Sequence, residues 1–210
     1  VSVLYCAYIL RLGGGATSAV AAADHAAAAT LDVEDPFFRA HRRVDEVLAG
    51  MRLIEKVKTI GDVILFGGPF DKPRVAPADL ALAAAQCVEV ILELQRYNAG
   101  DGSVTDGGSV RAGAHVGPVQ GAVLGSSRLC FDVFGDAVNV ASRVMSAASA
   151  HGAASAAVSD TFFDVLKLVS HDASGPALAS RFDVNPTPVS AKGKGTLHVH
   201  IMLGAETRTI

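Results

Sequence analysis

Two places in the chain read as tight reversals between β-rich runs, which predicts antiparallel strand pairing. Leu53, Ile54, Val57 and Ile60 lead into Gly61-Asp62, and Val63-Ile-Leu-Phe66 follows at once. A parallel pair needs a crossover of about a dozen residues or more, so two β-rich runs around a Gly-Asp turn form a hairpin. Residues 109–117 and 119–125 read the same way, as two strands with Gly117-Pro118 turning between them. Helical stretches alternate with these strands. Pro36 opens one, with Phe37, Ala40, Val44 and Leu48 on its apolar stripe and Gly50 as its stop. Residues 77–98 form the clearest one, with Leu80, Ala84, Cys87, Ile91 and Leu94 on one side. Helices mixed with turn-linked strands give an α+β fold with an antiparallel or mixed sheet, not a doubly wound one.

The stretch 128–145 carries the densest polar signal. Leu129, Phe131 and Val133 alternate with Cys130 and Asp132, which predicts a strand with one apolar face. Gly135 breaks it, and Asp136 can cap the helix that follows. On that helix Val138, Ala141 and Met145 share the core stripe, while Asn139 and Arg143, four apart, point together away from it. An amide beside a guanidinium is either a donor pair for an anion or an ordinary solvated face.

The rest is less informative. Residues 1–9 read as a buried strand ended by Gly13-Gly-Gly, and the Ala-rich 16–30 fit either a weakly amphipathic helix or an insertion. Residues 100–108 and 170–180 read as loops, and 153–158 as a small-residue strand before a short helix that Asp160 can cap. Two final strands, 182–189 and 197–202, flank Lys192-Gly-Lys194-Gly195. Glycine on both sides of Lys194 lets the backbone approach a ligand, although lysines in a loop are more often simply solvated. An Asp at a hairpin tip, here Asp62 with Lys58 across the turn, is most often a turn former.

Length and charge bound the function. The 210 residues suffice for a single domain, 1–210, with a sizeable core. The net charge of −3, with no long basic run, argues against a nucleic-acid binder and leaves room for a nucleotide site. Three cysteines, Cys6, Cys87 and Cys130, form no CxxC pair, which fits a reducing, cytoplasmic setting. The richest apolar run, 80–94, is interrupted by Gln86, Glu89 and Glu93, so no membrane segment is expected. The chain starts without Met, as a domain of a longer protein would, and this leaves membrane attachment elsewhere open. Neither GxGxxG after the first strand nor GxxxxGK[ST] occurs.

Four separated blocks together resemble the class III nucleotidyl cyclases. They are Glu55-Lys-Val-Lys-Thr-Ile-Gly-Asp62, the run from Arg111 to Gly125, Phe131-Asp-Val-Phe-Gly-Asp-Ala-Val-Asn-Val-Ala-Ser-Arg143, and Lys192-Gly-Lys-Gly195. Val1-Ser-Val-Leu-Tyr-Cys6 looks like the family's first strand. The resemblance implies a ferredoxin-like α+β core, paired head to tail with a second cyclase homology domain as a homodimer or heterodimer. It also implies cyclisation of a nucleoside triphosphate by attack of the ribose 3′ hydroxyl on the α-phosphate, with Mg²⁺ or Mn²⁺ held between two Asp side chains. By the same resemblance, Lys58 and Asp132 match the purine-reading pair. Lys donates to adenine N1 and Asp accepts from the adenine amino group, a pattern that favours ATP over GTP. Asn139 matches the ribose-orienting residue, Arg143 the transition-state arginine, Lys194 the lysine on the terminal phosphates, and Asp62 one of the metal-binding carboxylates.

One position departs from the family. Where the first metal-binding Asp is expected, after Leu4-Tyr5-Cys6, stands Ala7, and Tyr8-Ile-Leu-Arg-Leu12 also differs from the family pattern. A methyl group holds no metal, and losing such a ligand costs a rate factor of roughly a thousand or more. The altered flank fits natural divergence better than an engineered change. Two expectations follow: an adenylate-type domain that supplies one half of a shared site and is weak alone, or a pseudo-cyclase that binds nucleotide or a partner domain without catalysis.

Overall fold

The computed structural model describes residues 3–13, 36–71, 74–99, 109–148, 156–169, 178–191 and 193–203. In chain order the elements are β1 (Val3–Gly13), α1 (Pro36–Ala49), β2 (Glu55–Ile60), β3 (Val63–Gly68), α2 (Pro77–Ala99) and β4 (Ser109–Leu124). There follow β5 (Cys130–Phe134), α3 (Asp136–Ala148), β6 (Ala156–Ser159), α4 (Asp160–Lys167), β7 (Thr187–Ala191) and β8 (Gly195–Ile201). The sheet runs β2-β3-β1-β4-β6-β8-β7, with β5 added on β4. Its pairs are antiparallel except β4 with β6, so the sheet is mixed, as the turn-linked strands imply. The expectations for 16–30, 100–108 and 170–177 fall outside the described residues. None of the described helices is long and apolar enough to cross a membrane.

Helices cover both faces. On one, α1, α2 and α4 enclose a core that includes Val44, Phe66, Ile91, Val116 and Phe162. On the other, α3 packs over Leu65, Val119 and Val133, and further along over Ala157 and Val199. The central strands therefore carry apolar residues on both sides: Ile64 and Phe66 of β3 face one core, Leu65 the other. α3 lies so close to the sheet that β4 has no side chain at the crossing. A Cβ on Gly113 would stand 2.2 Å from Met145 N and 2.5 Å from Ala141 O.

Four expectations change. Residues 109–125 are not two strands around a Gly-Pro turn but one 16-residue strand, β4. It stays continuous because β1 pairs with residues 109–119, straight through Gly117-Pro118, while 112–114 also pair with β6 and 120–124 with β5. Pro118 falls between the β6 and β5 ladders, where one edge is unpaired and a missing N–H is tolerated. Secondly, Phe182 makes only an isolated antiparallel bridge with Met202, and 183–186 are not strand. Asn185 N–H donates to Asp183 Oδ1 at 2.9 Å, a local turn that competes with the ladder, and β7 starts only after Pro186. Thirdly, the cap of α4 is Ser159, whose Oγ accepts from Phe162 N–H at 3.3 Å. Asp160 instead accepts from His200 Nε2 at 2.8 Å.

The fourth change concerns β5. Of its predicted apolar face only Val133 is buried; Phe131 is 37% and Leu129 74% exposed. Among the described strands β5 pairs with β4 alone, so the far half of β4 and β5 extend as a two-stranded arm. The edge-on contact of Phe131 with Phe70, centroids 5.3 Å apart, ties the arm to the end of β3.

Candidate functional site

The break between β5 and α3 sets the site's geometry. Gly135 adopts φ +146°, and a Cβ there would meet Pro118 O at 2.9 Å, so only glycine lets the chain turn this close to β4. β5 thereby presents Asp132 on one side of the break, and α3 presents Asn139 and Arg143 on the other.

Asp132 meets Lys58. Their Nζ–Oδ2 distance is 2.7 Å across 74 residues of sequence, joining β5 to the edge strand β2. Oδ1 accepts from Val133 N–H at 2.7 Å. The Lys58 hydrogen bond, aided by that backbone donor, holds the Asp132 carboxyl below the usual carboxylate range. A fixed donor and a fixed acceptor thus stand side by side, each partly open to solvent.

Asn139 is exposed and Arg143, one turn on, is half-buried. Arg143 Nη1 is buried and makes no hydrogen bond. An orphaned guanidinium nitrogen is costly to keep buried. Lys194 lies at the β7–β8 hairpin tip between Gly193 at φ +76° and Gly195 at φ +75°. Both glycines hold the left-handed conformation that the turn requires, and a Cβ at either would meet no protein atom within 4 Å. Lys194 Nζ pairs with Asp136 Oδ2 at 2.6 Å, in the first turn of α3. Asp136, at the start of α3, thereby reaches another element, a contact that local sequence does not encode.

Asp62 sits half-buried on the β2–β3 turn, directly after Gly61 at φ +58°. Ala7 pairs with Gly67 on β3 and His115 on β4, whereas the β1 position opposite Val63, next to Asp62, is Arg11. The choice of register does not alter the donor count, because β1 reads VLYCAYILRLG and contains no acidic residue. Among the described residues no group of three His, Cys, Asp or Glu side chains is placed to hold a metal ion. Among the described residues, Asp62 therefore finds no second carboxylate on β1 with which to share a metal ion.

His115 is a polar residue that the motif reading left without a role. Its Nδ1 lies 2.8 Å from Ser159 Oγ and 3.3 Å from Thr161 Oγ1. Burial, partly offset by Asp136, lowers its pKa from 6.5 to about 4. Between those values an unfolded chain takes up a proton that the folded one refuses, so stability is full above pH 6.5 and falls as the pH drops towards 4. We expect this residue to account for about 2 kcal/mol of the stability lost between pH 7.5 and 4.5. Urea unfolding of the protein and of His115→Gln at both pH values checks it: the variant should lose less.

The profile of the adenylate and guanylate cyclase catalytic domain matches residues 22–204. The chain belongs to this family. The match to the cyclase domain begins after β1, so the strand with Ala7 and Arg11 lies outside it. An adenylate cyclase of Mycobacterium bovis is 33% identical over 155 residues, 72% of this chain and 30% of that protein. This cyclase domain thus spans less than a third of the relative's length. Among solved structures, the guanylate cyclase domain of RhGC from Catenaria anguillulae, in complex with GTP, superposes with a TM-score of 0.66 at 21% identity, covering 96% of each chain. The adenylyl cyclase CyaB from P. aeruginosa gives 0.64 at 14% identity, covering 99% of this chain and 97% of that one. These likenesses show the class III cyclase fold, with relatives of both purine types.

Proposed function

We propose that this cyclase domain is of adenylate type and acts as one half of a site shared with a second cyclase homology domain. The reaction is attack of the ribose 3′ oxygen of ATP on the α-phosphorus, which closes the 3′,5′ ring and releases pyrophosphate. In this reading Lys58 donates to adenine N1, Asp132 accepts from the adenine amino group, and Asn139 orients the ribose. Arg143 takes the charge that builds on the α-phosphate, and Lys194 holds the terminal phosphates. The Lys58–Asp132 pair carries the proposal, because it sets a fixed donor and a fixed acceptor side by side where the motif match expects the base. The Lys58–Asp132 donor–acceptor pair supports adenine over guanine. Arg143, Asn139, Lys58, Asp132 and Lys194 thus supply the nucleotide-reading half. The divalent cations that the family uses would be held by the partner's acidic residues, since the motif match supplies Asp62 alone and β1 adds no carboxylate. The apolar arm, with Val123, Leu124, Leu129 and Phe134 exposed, supports a partner domain as its cover.

The test is to assay cyclic AMP from ATP and Mn²⁺ with the chain alone, with an intact cyclase domain alone, and with the two mixed. The chain alone should be weak and the mixture should exceed the partner; a mixture no better than the partner sinks the shared site. Calorimetry should show ATP binding more tightly than GTP, with Lys58→Ala weakening ATP by about tenfold, the worth of one hydrogen bond to a charged donor. GTP binding equal to or tighter than ATP would overturn the purine assignment. The absence of any acidic residue from β1 favours a second reading, a pseudo-cyclase that binds ATP and a partner without turnover. ATP binding combined with a mixture that gains no activity would select it.

A further inference from the structure

Lys194 is not idle in this structure. Its ammonium is closed on Asp136 at 2.6 Å, and the hairpin tip beneath it is fixed by the Lys194 N–H, which donates to Ala191 O at 2.8 Å. Asp136 is held just as firmly by its place in the first turn of α3, the helix that also carries Asn139 and Arg143. An ammonium has only local charge to offer, so an anion arriving at Lys194 must outcompete the carboxylate already there. A singly charged carboxylate is a weak rival for a triphosphate terminus of several negative charges, but a strong one for a monophosphate or a carboxylic acid.

We propose that Asp136 is a specificity-determining residue that occupies Lys194 in place of a phosphate and admits only polyphosphates to it. The inference rests on the reading that Lys194 meets the terminal phosphates. It adds a residue to which the motif match assigns no ligand, and a selection by charge that the purine pair does not provide. Asp136 acts through Lys194 and is a positioning residue, not a catalytic one.

The experiment measures affinity for inorganic tripolyphosphate by calorimetry in the wild type, Asp136→Asn, Asp136→Glu, Lys194→Ala and the Lys194→Ala/Asp136→Asn double variant. Half-exposed ion pairs are worth little, so Asp136→Asn should bind about three- to fivefold more tightly than the wild type. Asp136→Glu should stay near the wild type because it keeps the carboxylate. In the Lys194→Ala background the Asn substitution should have no effect. An equal gain in that background would mean general charge repulsion, and no gain in Asp136→Asn would mean an inert surface pair; either overturns the proposal, as does absence of tripolyphosphate binding in every variant. ATP titrated in the same series separates this from the purine assignment. ATP no tighter than tripolyphosphate would undo the roles given to Lys58 and Asp132 and leave the competition at Lys194 standing.

Discussion

Arg143→Ala is expected to lower the cyclic AMP output of the mixed enzyme by a hundredfold to about a thousandfold, the usual consequence of removing one preorganised donor from a developing oxyanion. Arg143 sits on a helix held against the sheet at Gly113, and no hydrogen bond ties its Nη1 to the rest of the protein. That distinguishes it from Lys58 and Lys194, whose nitrogens are each closed on a carboxylate. The loss should fall mainly on kcat, because an interaction that strengthens as charge builds contributes little to ground-state binding. Arg143→Lys should rescue only part of it, since an ammonium replaces a fork of donors with a point charge. Steady-state kinetics of the mixture, with KM and kcat resolved, is the check. A variant that loses affinity for ATP but keeps its turnover rate would assign Arg143 to substrate binding alone.

The second large effect is structural. Gly113→Val should cost at least about 4 kcal/mol, at the severe end for single substitutions, and leave little folded protein at 37 °C. The Cβ would fall 2.2 Å from Met145 N and 2.5 Å from Ala141 O, and both are backbone atoms of α3 that no rotamer change can move. The helix would have to lift from β4 and take Leu65, Val119 and Val133 out of their packing. Gly61→Ala is the informative control. Gly61 is a left-handed glycine with empty space where its Cβ would lie, so the cost there is conformational only, about 1 kcal/mol. Urea denaturation of both variants decides it. Similar midpoints would mean that α3 is not seated on the strand as described.

Much of this fold could be read from local pattern, and the failures share one cause. α2, the Gly61-Asp62 hairpin and the strand–Gly135–helix passage follow from periodicity and turn chemistry within a few residues. What escaped depends on partners distant in sequence. The two halves of β4 look separated by Gly117-Pro118, yet the ladder with β1 runs through both residues and keeps the strand whole. The alternation in β5 predicts a buried face, but β5 lies beyond the helices and only Val133 finds a core. In the site, the motif match named Lys58 and Asp132 as a pair, and the structure places them 2.7 Å apart. It gave no reason to join Lys194 to Asp136, because no spacing rule links a hairpin tip to a helix start. The register of β1 was equally out of reach. Which of Ala7 and Arg11 lies beside Asp62 is fixed by the ladder with β3, not by residue type.

The Lys58–Asp132 pair has a mechanical side. Lys58 belongs to β2, the edge strand of the main sheet, while Asp132 belongs to the arm, which is anchored through β4 and the Phe70–Phe131 contact. The two groups are jaws mounted on different bodies. Any load that swings the arm changes the gap between them by a similar amount, and a hydrogen bond weakens steeply once the gap opens by a few tenths of an ångström. On the proposed reading, in which this pair seats the base, the seat is therefore also a strain gauge for whatever leans on the arm.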